Sequence, residues 1–194
     1  MLSDPDKTRF LQIALTCLRQ PGEDRPIFSP DVPTDDELAQ IKQGLKTGNI
    51  DEDVLQRFFP MAYEGVTTNG FINYFFGPHN KKIQELARYK NTGLTSWCTA
   101  YPAKVLGRIE KLWEVQLPSG KKIITDDEVY PGIHSLDAAI NAGDLVIVHR
   151  GKICLKMDGK EYTLALNLFN RSTNQQSRSG TSPRAGLRRP ASAK

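Results

Sequence analysis

The feature that most constrains this chain is a change of hydrophobic period near residue 94. Before it, apolar residues recur at helical spacing. After it, they fall in short β-rich runs separated by turn residues. The chain is therefore predicted to be α+β, with a helical domain over residues 1–93, a strand-rich domain over 94–170 and a tail over 171–194.

The helical reading is built segment by segment. Residues 8–18 put Phe10, Ile13, Ala14, Cys17 and Leu18 on one face, and Gln20, Pro21 and Gly22 stop that helix. Thr34 and Glu37 have capping-box spacing and open a helix carrying Leu38, Ile41 and Leu45. Asp51 can cap a short helix with Val54, Leu55 and Phe58. Pro78 suits the first turn of another, which carries Ile83, Leu86 and Ala87 and closes at Asn91, Thr92 and Gly93. Phe58, Phe59, Tyr63, Phe71, Tyr74, Phe75 and Phe76 form an aromatic cluster between these helices. Such a cluster is expected to be core, and the alternative is a docking surface for a partner.

Six runs read as strands: residues 96–106, 112–117, 121–125, 144–149, 152–157 and 161–166. Pro118–Ser119–Gly120, Arg150–Gly151 and Asp158–Gly159 supply tight turns between them. Six short strands with such turns predict a small antiparallel barrel of OB or SH3-like form, which would leave no open edge.

The tail is rich in Ser, Arg, Gln, Pro, Gly and Ala, with Leu187 as its one large aliphatic residue, and is predicted to be disordered. It also distorts the charge balance. The net charge is +4, yet six basic residues (Arg171, Arg178, Arg184, Arg188, Arg189 and Lys194) lie in the tail without an acid. The body holds the remaining 20 basic residues against 22 acidic ones, so the overall charge does not argue for nucleic acid. No apolar run approaches the roughly 18 residues of a membrane span. Asp4 and Asp6 occupy the place where a signal peptide would be basic. Three cysteines without a secretion signal read as reduced thiols, and a cytoplasmic location is expected.

Chemistry concentrates in two segments of the strand-rich region. The first runs Cys98–Thr–Ala–Tyr–Pro–Ala–Lys–Val105; the second runs Gly143–Asp–Leu–Val–Ile–Val–His149–Arg–Gly151. Alternation puts Cys98, Ala100 and Pro102 on one strand face, and Leu145, Ile147 and His149 on another. His149 ends its strand before a turn, so it is expected at an accessible barrel rim. A thiolate and an imidazole meeting there would suit a transition metal such as iron. Lys104 and Arg150 are candidate sources of positive field that would lower the thiol pKa. The alternative is structural: Cys98 as core filler beside Trp97 and Tyr101, and His149 bonded to backbone at a hairpin end.

These segments resemble the HypC/HupF family of hydrogenase-formation chaperones. Cys98, Pro102, Ala103 and Val105 match the family's Cys-x-x-x-Pro-[Gly/Ala]-x-Val element; Gly143, Asp144, Val146, Val148, His149 and Gly151 match its later Gly-Asp-x-Val-x-Val-His-x-Gly element. The resemblance covers residues 98–157. It implies a chaperone rather than an enzyme, one that delivers the iron of nickel–iron hydrogenase. Its partners would be a maturation scaffold protein and the hydrogenase large-subunit precursor, with Cys98 and His149 as the metal residues. Two features depart from the family: 97 residues precede Cys98, where the family's cysteine is N-terminal, and a hairpin is predicted where the family usually ends in a short helix.

A second reading is an OB or SH3-like nucleic-acid module using Lys104, Arg108, Lys111, Trp113, Lys121, Lys122 and the basic tail. Cys154 is an alternative thiol expected to be buried. His79 reads as a helix-start residue, His134 as a solvated loop residue, and Asp126–Asp127–Glu128 as a solvated turn. The chain has no P-loop, GxGxxG, HExxH or GxSxG pattern, so common nucleotide enzymes and hydrolases are not expected.

Overall fold

The computed structural model describes residues 2–18, 31–90, 98–135 and 140–179. Helix α1 (Asp4–Ala14) is capped by Ser3 and passes into a 3-10 turn, Leu15–Cys17. Helix α2 (Asp35–Thr47) opens with the full Thr34/Glu37 capping box and ends at Gly48, whose φ of 71° is cheap only for glycine. Helix α3 (Glu52–Phe58) is capped by Asp51. Helix α4 (Pro60–Asn69) follows, then α5 (Phe71–Tyr74), a π turn (Phe75–His79) and α6 (Asn80–Lys90). The segment expected to start a helix at Pro78 is thus the interior of a π turn, a distortion often found at functional sites.

Among the described residues seven strands follow: β1 (Tyr101–Ile109), β2 (Leu112–Gln116), β3 (Lys122–Thr125), β4 (Glu128–Tyr130), β5 (Ile133–His134), β6 (Leu145–His149) and β7 (Lys152–Met157). Five of them form an antiparallel sheet ordered β3-β2-β1-β6-β7, and β4 pairs with β5. The sheet is open rather than a closed barrel. Among the described residues its edges approach near one bridge, Asp126 with Lys152, where Ile153 N donates to Asp126 O at 2.7 Å. The Arg150–Gly151 turn between β6 and β7 forms as expected, both residues taking positive φ.

The sixth expected strand does not exist. Residues 161–166 lie in helix α7 (Gly159–Ser179). Asp158 is not a hairpin corner but the cap of this helix: its Oδ1 accepts from Lys160 N and Glu161 N, both at 2.8 Å, and Asp158 N donates to Glu161 Oε2 at 3.1 Å. Tyr162, Ala165, Leu168 and Phe169 then meet the core at helical spacing. The tail expected to be disordered from residue 171 is helical as far as Ser179. The rest of that expectation (residues 180–194), the helix stops at 20–22 and 91–93, and Trp97 lie outside the described residues.

Among the described residues two apolar clusters stabilise the fold. One fills the inner face of the sheet with Ala103, Val105, Val115, Val146, Val148 and Ile153. The other joins Phe10, Leu55, Phe58 and Phe76 of the helices to Ile147, Leu155 and Met157 of the sheet and Ala165 of α7. The two sets alternate along β6, as a strand buried on both faces requires. Each fully buried Phe or Leu side chain contributes about 1.5–3 kcal/mol. The aromatic cluster is therefore core that joins helices to strands.

Candidate thiol–imidazole site

The site forms where helices cover the end of β6. Cys98 was expected on a strand, but β1 begins three residues later at Tyr101, so Cys98 lies before the ladder. The pairing Tyr101↔Val148 nevertheless brings it beside His149. The carbonyl oxygen of Cys98 accepts a hydrogen bond from Nε2 of His149 at 2.9 Å. Nδ1 of the same ring lies 2.6 Å from Thr16 Oγ1. A carbonyl can only accept, so in the neutral ring Nε2 carries the hydrogen and Nδ1 is the acceptor nitrogen, with the Thr16 hydroxyl within its reach.

His149 is not at an accessible rim. It is 0% exposed and Cys98 is 5% exposed. The physical reason is the N-terminal helical segment, whose 3-10 turn and π turn seal the end of the strand. Cys17 Sγ stands 3.9 Å from Nδ1 and 4.0 Å from Nε2, and the His79 ring lies with its centroid 5.1 Å from that of His149. Cys154 approaches from β7, its thiol 3.9 Å from the His149 carbonyl oxygen. A bulge at Ile147/Val148 leaves Cys154 without a Cα partner and turns it to this side. All three cysteines and two of the three histidines thus converge at one junction, and no cysteine is in a disulfide.

Burial sets the electrostatics. Desolvation lowers His79 to about 4. It also holds His149 well below the usual imidazole range, with His79 and the Arg150 guanidinium adding to the effect. Burial pushes the Cys154 thiol up. Both imidazoles are therefore neutral at pH 7. Arg150 donates from Nη1 to Thr16 O at 2.7 Å and ties the β6–β7 turn to the 3-10 turn. Asn80 provides a second tie: its Nδ2 donates to Ala100 O at 2.9 Å, and its Oδ1 accepts from Ala100 N at 2.8 Å. Cys98 is thereby held between the π turn and His149.

The spacing of Cys98 and His149 identified two members of this junction. Cys17 and His79 were missed as partners, because 132 residues separate Cys17 from His149 and nothing in the local pattern links them. Among the described residues, no group of three or more His, Cys, Asp and Glu side chains is placed to hold a metal ion. An ion at His149 would have to displace either Thr16 or the Cys98 carbonyl.

The other candidates are dispersed. His134 is exposed on β5, 3.1 Å from Asp127. Asp126 pairs with Lys152 at 2.8 Å. Lys104, Arg108, Lys111, Lys121 and Lys122 are exposed around β1–β3, but Trp113 is half-buried with the Arg108 guanidinium over its ring, 5.4 Å from the centroid. No helix among the described residues is long and apolar enough to cross a membrane. Comparison with protein-family models, curated proteins and solved structures finds no match.

Proposed function

We propose that this chain is a metal-centre assembly chaperone of the kind HypC represents. It handles iron destined for nickel–iron hydrogenase through protein contacts in the cytoplasm, without turning over a small molecule. One observation carries the reading: the two motif elements lie antiparallel along their length. Val105 N donates to Asp144 O at 2.9 Å, Gly143 N donates to Val105 O at 2.8 Å, Pro102 faces Ile147, and His149 reaches the Cys98 carbonyl. The terminal helix α7 adds support, since the family usually ends in a helix at this point.

In this proposal Cys98 supplies the thiolate that touches iron cargo and partner. His149 holds the Cys98 main chain in the closed form and offers Nδ1 to the ion once Thr16 releases it. Both residues are buried, so loading requires the 3-10 turn to move off the ring. Partners are the hydrogenase large-subunit precursor or a maturation scaffold protein. The nucleic-acid reading is weaker on geometry, because the ring of Trp113 is already covered by Arg108.

The test is anaerobic co-purification with such a partner, followed by metal analysis. Iron should accompany the wild-type chain and fall away in Cys98→Ala and His149→Ala. Equal iron in all three would reject the proposed ligands.

A further inference from the structure

We infer that the open edge of β3 is a docking surface for an extended, acidic segment of a partner protein, which adds to the sheet as a further strand. The register shows which main-chain groups are available. Leu117 N donates to Lys121 O at 2.9 Å, so Lys121 turns its main chain toward β2. That direction alternates along an antiparallel strand. Ile123 and Thr125, opposite Val115 and Trp113, therefore also bond β2, whereas Lys122 and Ile124 point their N–H and C=O groups outward. Among the described residues no main-chain partner meets those outward groups. Strand β7 does not cover them: it bridges to Asp126, one residue beyond β3, and the Thr125 hydroxyl donates to Gly151 O in the turn before β7.

The side chains carry the argument further. Ile109, Leu112 and Ile124 are 47%, 40% and 50% exposed. Ile109 stands opposite Leu112, and Glu114, two residues on, stands opposite Ile124, so all three apolar residues share the outer face. A strand added at β3 extends that stripe. Charge selects the occupant. Residues 101–125 hold five basic side chains against Glu110 and Glu114, although the body as a whole is slightly acidic. Lys122 meets Glu114 at 3.7 Å in an exposed pair, which is weak. An antiparallel segment thus places an apolar residue beside Ile124 and, two residues later, a carboxylate beside Lys122. A second copy fits poorly. Pairing two β3 edges sets Lys122 against Lys122, or each Ile124 against a lysine, or Lys122 onto Asp126, where β7 already sits. The chain's own tail has the wrong sign, with six basic residues from Arg171 onward and no acid.

The test titrates the full chain with the acetylated and amidated peptide Thr-Val-Thr-Glu-Thr-Glu, and with its counterpart carrying Lys for Glu, followed by amide NMR. The acidic peptide should shift the Lys122 and Ile124 amide signals, slow their hydrogen exchange and bind about tenfold tighter than the basic one. Ile124→Pro removes an outward N–H without touching a bond to β2, a change an edge strand tolerates, and should weaken binding about tenfold. Lys122→Glu should do the same, and Ile124→Thr, which keeps the main chain, should weaken it less. Equal affinity for the two peptides, no shift at these amides, or wild-type affinity in Ile124→Pro and Lys122→Glu with native circular dichroism would overturn the inference. So would oligothymidylate binding these amides more tightly than the acidic peptide, which would assign the edge to nucleic acid, or a dimer in sedimentation that Ile124→Pro abolishes, which would assign it to a second copy.

Discussion

A neutral imidazole sealed under helices becomes a liability as pH falls. His79 has its folded-state pKa lowered to about 4 by burial, and the unfolded chain takes up the proton first. Its contribution to stability is therefore complete above about pH 6.5 and is lost as pH falls toward 4, amounting to about 3 kcal/mol over that window. His149 acts in the same direction. Urea midpoints should fall from pH 7 to pH 5, and His79→Gln should flatten the slope; a midpoint independent of pH would contradict the buried neutral pair. Thr16 offers a sharper probe. Its single hydroxyl hydrogen has two acceptors in reach, Ile13 O at 2.7 Å and His149 Nδ1 at 2.6 Å. Thr16→Val leaves Nδ1 to the weaker Cys17 thiol at 3.9 Å and should cost about 1–3 kcal/mol in urea denaturation.

Helix α7 and the α4–α5 corner show how single residues decide elements. Without Asp158 the first turn of α7 loses acceptors for two backbone N–H groups. Asp158→Ala should lower the melting temperature, while Asp158→Asn, which keeps an acceptor, should restore most of it. Arg9 and Glu161, 2.6 Å apart, hold α1 against the start of α7. At the corner, α4 approaches α5 so closely that a Cβ on Gly65 would run into the Tyr74 ring. Gly65→Ala should therefore destabilise by about 1–3 kcal/mol despite its better helix propensity. A gain in stability would mean that Tyr74 can rotate away from the corner.

One apolar cluster passes from α1, α3 and the π turn into β6, β7 and α7. Helices and sheet are thus predicted to unfold as one unit. Far-ultraviolet circular dichroism and tryptophan fluorescence should give coincident urea transitions. Asn80→Ala, which strips both partners from the Ala100 main chain, should shift the two together by about 2–4 kcal/mol. Separate midpoints for the two probes would show that the shared cluster does not couple the parts.

Much of this fold was readable from local chemistry. Thr34 with Glu37, Asp51 before its helix, and Arg150–Gly151 between two apolar runs act within a few residues, so their outcome follows from the residues themselves. The stretch after Asp158 was misread because six residues with alternating polarity can also be read with helical period; the contacts of Tyr162, Ala165 and Phe169 settle it. Sheet closure was equally out of reach, because it depends on whether β3 and β7 meet beyond the Asp126–Lys152 bridge. Motif spacing brought Cys98 and His149 together. Their burial, and their company with Cys17 and His79, arise from packing the first helices over the end of β6. Contacts across more than a hundred residues leave no periodic trace in a single chain, since each partner satisfies its own local pattern equally well without the other.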